Sequence, residues 1–232
     1  MRIKSYIYYS IILISVLFQK SYAQRIKGAI IAGANLSQVD GDHIYGFNKI
    51  GANIGAAAIF PFAKNLSFSI ETIYNQKGSH QSKQWDDVDS LGNPITGEYD
   101  LKLNYLEIPF LVQYTDRDII TAGIGFSYGR LVGIKEYEQG RLIESTTLNS
   151  GPYSRDDYNV IADLRFRIHK KIPRFKFNIR YSYSMAKIRT RDFYDKYGEY
   201  IDTRKQYNNV ISFRLIYVFN EKAKLADTKK GN

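Results

Sequence analysis

The chain has 232 residues, contains no cysteine and carries a formal net charge of +10. Without cysteine it can form neither a disulfide framework nor a thiolate metal site, and it offers no cysteine for lipid attachment after a leader. Its basic residues are spread along the sequence instead of forming a concentrated patch, which argues against nucleic-acid binding. The length suits one folded domain.

The first 23 residues have the three parts of a secretory signal peptide. Arg2 and Lys4 form a basic start, residues 11–18 form a short apolar run, and the segment SYA ends at Ala23, before Gln24. The apolar run is too short to cross a bilayer as a helix. We therefore expect cleavage between Ala23 and Gln24 and export of a chain with a net charge of +7, with a retained N-terminal anchor as the alternative.

Alternating apolar and polar residues predict eight β-strands and no helix. Residues 175–185, FKFNIRYSYSM, show the pattern: the odd positions are aromatic or aliphatic and the even positions are polar. Successive side chains of a strand point to opposite faces, so this strand has one apolar and one polar face. The predicted strands are residues 26–37, 49–60, 66–77, 99–114, 119–135, 158–168, 175–187 and 207–219.

The predicted connections alternate in length. Residues 61–65, 115–118 and 170–174 are short turns, whereas residues 38–48, 78–98, 136–157 and 188–206 are long and polar. Outer-membrane barrels have short periplasmic turns and longer external loops. A soluble up-and-down barrel such as a lipocalin has no reason for this sorting, but it remains the alternative fold.

The pattern indicates an all-β, eight-stranded antiparallel up-and-down transmembrane β-barrel over residues 24–219. The strands reach the roughly nine to eleven residues that a tilted strand needs to cross a bilayer. The chain has twenty Tyr and thirteen Phe, many near strand ends, as in the aromatic girdles of such barrels. Residues 220–232 form a basic tail that we expect to be disordered and periplasmic.

Four segments resemble a known family. Residues 33–42, GANLSQVDGD, are followed by GFNKIGANIGAAAIF (46–60), LSFSIETIYNQKGS (66–79) and LNYLEIPFLVQY (103–114). Together they are similar to the outer-membrane β-barrel proteins of Bacteroidota called the PorT-like or "porin family" group. The resemblance implies an eight-stranded outer-membrane barrel without catalytic residues.

Charged residues on the predicted inward faces form the main candidate site. A charge in a narrow lumen must be paired or hydrated, so we expect a structural network of carboxylates and cations there. For Glu107 to face inward while residues 99–105 are apolar on odd positions, the fourth strand needs a β-bulge near Tyr105 to Glu107. The network comprises Glu71, Glu107, Asp163, Arg165, Arg167, Lys176, Arg180 and Arg214.

Residues with catalytic or metal-binding potential are few. The histidines are His43, His80 and His169, and a nucleophile and base on loops have no assured contact. The acidic segments DGDH (40–43) and WDDVD (85–89) lack the spacing of an EF-hand and are interpreted as solvated turns, with calcium loops as the alternative. We expect no catalytic, cofactor or metal site.

The sequence thus predicts a non-enzymatic integral outer-membrane protein with a polar lumen filled by side chains. Its partners would be outer-membrane lipid and, through the long loops, other outer-membrane proteins. Two alternatives remain: a narrow channel for small solutes or ions, and a subunit of a larger, secretion-type complex. An eight-stranded interior is just filled by side chains, which argues against a wide pore.

Overall fold

The computed structural model describes residues 26–88, 92, 94–194, 199–219 and 221. The predicted signal peptide and its cleavage site lie outside the described residues, as does the predicted tail except for Glu221. Within the described part, no helix is both long and apolar enough to cross a membrane.

The described residues form twelve strands. They are β1 (Lys27–Asp40), β2 (Lys49–Pro61), β3 (Leu66–Gln81), β4 (Asp87–Val88), β5 (Pro94–Ile95), β6 (Tyr99–Asp116), β7 (Ile120–Glu138), β8 (Arg141–Leu142), β9 (Asp156–Arg167), β10 (Phe175–Ser184), β11 (Arg189–Tyr194) and β12 (Tyr200–Val218).

Eight long strands close into a ring. They follow the order β1-β2-β3-β6-β7-β9-β10-β12, every pair is antiparallel, and β12 pairs with β1. This seam runs from Ala29 opposite Val218 to Asp40 opposite Tyr207. The predicted eight-stranded up-and-down barrel is therefore confirmed, and closure leaves the ring without a free edge.

The two ends of the ring differ. The turn end carries the short connections and both chain ends of the ring, and the loop end carries the long connections. Four short strands at the loop end, β4, β5, β8 and β11, were not predicted. Several long strands extend further there than predicted, since for example β3 continues to Gln81 and β12 begins at Tyr200, whereas β10 ends at Ser184, before the predicted residue 187.

The outer face carries a broad apolar band. On β10, Phe177 is 38% exposed while the next residue, Asn178, is fully buried, which confirms the predicted faces of this strand. Phe60, Phe68, Phe110 and Phe126 form a row across β2, β3, β6 and β7 with ring centroids 5.3–6.5 Å apart. Other outward apolar side chains are Ile30, Ile54, Val112, Ile124, Val160, Leu164, Tyr181, Phe213 and Leu215.

The predicted phase change in the fourth strand is wrong. Odd residues of β6 face inward along its whole length, so apolar Leu103 and Tyr105 share the inner face with Glu107. The register does shift nearby, but the extra residue is Val132 on β7, because Asn104 pairs with Gly133 and Tyr105 with Leu131. The prediction failed because it assumed that the inner face is polar throughout.

The interior has two apolar clusters. The loop-end cluster consists of Val39, Tyr99, Leu101, Leu103, Tyr105, Leu131, Tyr153 and Ile188. The turn-end cluster consists of Ala29, Ile31, Ala57, Ile59, Ile73, Ile216 and Val218. The charged and amide side chains lie in the lumen between and beside these clusters.

Candidate functional site

A group of charged residues crosses the middle of the lumen. This central cluster contains Glu71 on β3, Asp163 on β9, Asn178 and Arg180 on β10, and Arg214 on β12. Each of the five is at most 4% exposed. Because two carboxylates face two guanidiniums, the cluster is neutral overall.

The central cluster is fully connected by hydrogen bonds. Arg180 donates from both terminal nitrogens to the two oxygens of Glu71, each at 2.9 Å, and from Nε to Asp163 at 2.8 Å. Arg214 donates to Glu71 at 3.1 Å and to Asp163 at 3.0 Å. Asn178 accepts from Arg214 at 2.7 Å and donates to Asp163 at 2.9 Å. Paired guanidinium and carboxylate groups of this kind offset much of the cost of burying charge.

A layer of amides lies next to the central cluster on the loop-end side. Asn53 donates to Asn35 at 3.2 Å and to Asn75 at 3.1 Å, and Asn35 also donates to Asn75. Ser212 donates to Asn35 at 2.7 Å across the β1–β12 seam. These inward polar side chains were not predicted as part of the site, although Asn75 is in phase with Glu71 on the same strand.

A second ionic group involves Glu107, whose partners differ from those expected. The predicted network contained Glu107 but not Lys77, and Lys77 is the cationic neighbour of Glu107, at 2.5 Å. Lys77 also donates to Asp157 at 2.9 Å and to Asn159 at 3.2 Å. Lys77 could have been found from the sequence, because it lies six residues after Glu71 and shares its face.

Glycine provides the space that Glu107 needs. Gly129 on β7 is the register partner of Glu107, and a Cβ atom at this position would lie 3.0 Å from Glu107 Cγ. That distance is shorter than an ordinary van der Waals contact, so a larger residue would require the Glu107 side chain to shift by a few tenths of an ångström.

The connection between β8 and β9 contributes side chains to the loop-end side of the lumen. Tyr153 and Thr146 from this connection donate to Glu136 on β7, at 3.3 Å and 2.8 Å. Arg189 on β11 donates to the same carboxylate at 2.7 Å, and Tyr99 does so at 2.8 Å. This group covers the loop-end apolar cluster, so polar contacts and apolar packing together fill the upper lumen.

Besides Glu107, three predicted residues lie outside the central cluster. Lys176 donates to Glu221 at 2.9 Å, and Arg165 lines a cavity of about 90 Å³ at the turn end. Arg167, two residues further along β9, is half-buried and does not line that cavity. The structure thus brings together Glu71, Asp163, Arg180 and Arg214, and places Glu107, Arg165, Arg167 and Lys176 elsewhere.

The histidines lie at the rims. His80 Nδ1 lies 3.3 Å from Asp100 Oδ1, and Ser82 Oγ lies 3.4 Å from His80 Nε2. A serine, a histidine and a carboxylate connected in this order form the catalytic triad of many hydrolases. Here Asp100 also pairs with Lys49 and Lys102, and Ser82 is exposed at the loop end.

A second cavity, of about 380 Å³, opens at the loop end. Asp42 borders it and accepts a hydrogen bond from the amide of Ile44 at 2.8 Å, while its other oxygen has no hydrogen-bond partner among the described residues. Burial raises the pKa of Asp42 to about 6. In the part of the chain that the structure describes, no group of three His, Asp or Glu side chains is placed to hold a metal ion.

A family model for the outer membrane protein β-barrel domain matches residues 21–189. The chain belongs to this family. The barrel is therefore an integral outer-membrane protein, and its apolar outer band faces lipid. With 19 residues each, β7 and β12 exceed the roughly nine to eleven residues needed to cross, so paired strands continue beyond the bilayer at the loop end.

Solved outer-membrane barrels are similar in fold. The attachment invasion locus protein Ail of Yersinia pestis is 14% identical with a TM-score of 0.46, and the match covers 84% of this chain and 99% of Ail. Neisserial surface protein A is 11% identical with a TM-score of 0.44, covering 82% and 96%. OprG of Pseudomonas aeruginosa is 13% identical with a TM-score of 0.40, covering 85% and 98%. Comparison with curated proteins finds none that matches.

Proposed function

We propose that this outer-membrane barrel is a non-enzymatic and non-conducting protein that presents its long loops for contacts outside the cell. The observation that carries the proposal is the central cluster, in which Arg180 and Arg214 connect the walls of the lumen through Glu71 and Asp163. A conducting path would have to pass these paired charges and then the loop-end apolar cluster. Both obstacles favour a lumen that stabilises the barrel and does not conduct ions.

Conductance measurements test this proposal. Purified barrel inserted into planar bilayers should give no steady conductance above background. Steady, ion-selective conductance in the unaltered protein would contradict a closed lumen and favour the narrow-channel alternative.

The orientation we propose places the turn end in the periplasm and the loop end outside. The contrast between short and long connections supports it. Because the chain has no cysteine, single cysteines report orientation cleanly. On intact cells, a membrane-impermeant maleimide should label Ser145→Cys at the loop end and leave Lys170→Cys at the turn end unlabelled. The reverse labelling would show that the barrel has the opposite orientation in the membrane.

The segment boundaries are also proposed. Residues 1–23 act as a signal peptide cleaved between Ala23 and Gln24, residues 24–219 form the barrel domain, and residues 220–232 extend into the periplasm. Mass spectrometry of protein from outer membranes should give an N-terminus at Gln24. The segments around residues 33–114 favour membership of the Bacteroidota PorT-like group as the narrower relationship.

The loops carry large apolar side chains that are not packed away. Tyr45 is 81% exposed, and Trp85, Tyr194, Tyr200 and Ile201 are each more than half exposed. Exposed aromatic residues are enriched where proteins bind one another. These side chains support contacts with other outer-membrane proteins, and crosslinking in native membranes should recover a partner that Tyr45→Ser or Trp85→Ser weakens.

A further inference from the structure

The cavity at the turn end has an excess of positive charge. Four cationic side chains line it, Lys27, Lys64, Arg165 and Lys176, against the two acidic side chains of Asp118 and Glu221. The cavity lies inside the ring, between the inner wall and the turn that joins β2 to β3. An uncompensated cation in a confined lumen favours binding of an anion.

Polar groups form a row along the wall of this cavity. Ser67 on β3 lies opposite Gln113 on β6, and Thr121 on β7 lies opposite Arg165 on β9. All four line the cavity, and each is at most 9% exposed. The row can supply hydroxyl, amide and guanidinium donors to one small ligand.

Two of these side chains, Arg165 and Gln113, have buried polar atoms without a hydrogen-bond partner among the described residues. Arg165 is 3% exposed, and its Nε has no hydrogen-bond partner among the described residues. Gln113 is 1% exposed, and within the same described part neither its amide nitrogen nor its amide oxygen is bonded. A buried polar group without a partner costs free energy, and the cost is larger for a charged group. Arg165 differs in this respect from Arg180 and Arg214, whose nitrogens meet carboxylates.

Glu221, an acid that also lines the cavity, forms ion pairs with other cations, and Asp163, two residues before Arg165 on β9, already accepts from Arg180 and Arg214. Glu221 binds Lys176 at 2.9 Å and lies 3.7 Å from Lys27, so its charge is already shared between two lysines. We propose that the turn-end mouth of the lumen is a binding site for a small tetrahedral oxyanion of the phosphate or sulfate class. Arg165 and Lys176 supply the charge, and Gln113, Thr121 and Ser67 supply further donors.

The dimensions suit such a ligand. One water molecule needs a cavity of about 10–15 Å³. The 90 Å³ of the turn-end cavity therefore holds an oxyanion with water. Because the ring wall separates the cavity from lipid, a free ion reaches it from the aqueous side, whereas the acyl chains of a phospholipid do not fit inside.

Isothermal titration calorimetry of the full mature chain in detergent tests the site. Inorganic phosphate and sulfate, each up to about 10 mM, are titrated in separate experiments, with chloride at matched ionic strength as the blank. We expect saturable binding of one ion per chain. Replacing Arg165 by Gln should weaken binding about 10- to 100-fold, as expected for the loss of charge-assisted hydrogen bonds.

Two variants separate direct contact from general charge. Arg117→Gln removes one positive charge from the exposed turn between β6 and β7, outside the cavity, and should bind phosphate as the unaltered protein does. Gln113→Glu places a carboxylate in the cavity and should abolish binding while the barrel still folds. Folding of each variant is checked by the heat-dependent change of electrophoretic mobility.

Three outcomes overturn the proposal: no saturable binding by the unaltered protein, equal affinity in Arg165→Gln, and equal weakening by Arg117→Gln. A further arm uses short-chain phosphatidate. If phosphatidate binds and inorganic phosphate does not, the phosphate is recognised on the lipid-facing rim, and the site inside the lumen is wrong.

Discussion

Replacing Glu71 by Gln removes one carboxylate from the central cluster and leaves the size of the side chain nearly unchanged. Glu71 is 1% exposed and accepts three hydrogen bonds, two from Arg180 at 2.9 Å and one from Arg214 at 3.1 Å. After the substitution, two guanidiniums share the single carboxylate of Asp163. One positive charge is then buried without a counterion.

The expected loss follows from these contacts. Each charge-assisted hydrogen bond contributes about 1.5–3 kcal/mol, but the amide oxygen of Gln still accepts, so the three contributions are not all lost. Breaking a buried ion pair from one side costs about 3–5 kcal/mol, and we expect the free energy of unfolding to fall by this amount. Glu138→Gln is the matched control. Glu138 pairs with Arg191 at 3.1 Å but is 42% exposed, so its loss should cost less than about 1 kcal/mol.

Urea titration of detergent-purified protein measures the effect as a shift of the unfolding midpoint at constant slope. Adding Arg214→Gln to Glu71→Gln removes the excess cation and should recover part of the loss, with a coupling energy of about 0.5–3 kcal/mol. If Glu71→Gln costs no more than Glu138→Gln, or if the double variant is less stable than the single one, the central cluster does not hold the barrel together.

Three further predictions follow from the faces, the loops and the rim. Ile179→Arg places a charge in lipid and should cost about 2–4 kcal/mol near the bilayer midplane, while Ser182→Ala on the inner face should cost little; equal losses in urea titration would contradict the assigned faces. Because burial raises the pKa of Asp42 from 3.8 to about 6, the folded loop keeps a proton that the unfolded chain has released. Stability should therefore fall as pH rises through that window, and Asp42→Asn should remove this part of the pH dependence. A midpoint difference between the two proteins that stays constant from pH 3.8 to about 6 would refute the linkage. Finally, a fluorophosphonate probe should not label Ser82; labelling that His80→Ala abolishes would show an activated serine and a catalytic function.

The sequence was sufficient to predict the eight-stranded barrel because each long strand alternates apolar and polar residues. Outward residues such as Phe177 and Phe213 alternate with inward Asn178 and Arg214. This alternation is regular in the segments where one face of the strand contacts lipid. Strand ends at the loop end were less predictable. Outside the bilayer no apolar band is required, so the alternation weakens from Gly78 to Gln81 although pairing with β6 continues.

The partners of the charged residues could not be predicted in the same way. Alternation tells which side chains face the lumen, but not which opposite strand a long side chain reaches. Glu71 meets Arg180 across a sequence separation of 109 residues, and Glu107 meets Lys77 and not an arginine. Leu103 and Tyr105 were assigned to the lipid-facing side because they are apolar, and their inward orientation was therefore missed.

The position of Arg214 on the last strand has a consequence for assembly. Its guanidinium contacts Glu71 on β3 and Asp163 on β9, while its strand forms the seam with β1. A sheet that lacks β12 leaves the two carboxylates with Arg180 as their remaining guanidinium in the cluster, and so keeps an excess negative charge. Charge balance in the cluster is thus reached when β12 is in place, which disfavours barrels that lack this strand.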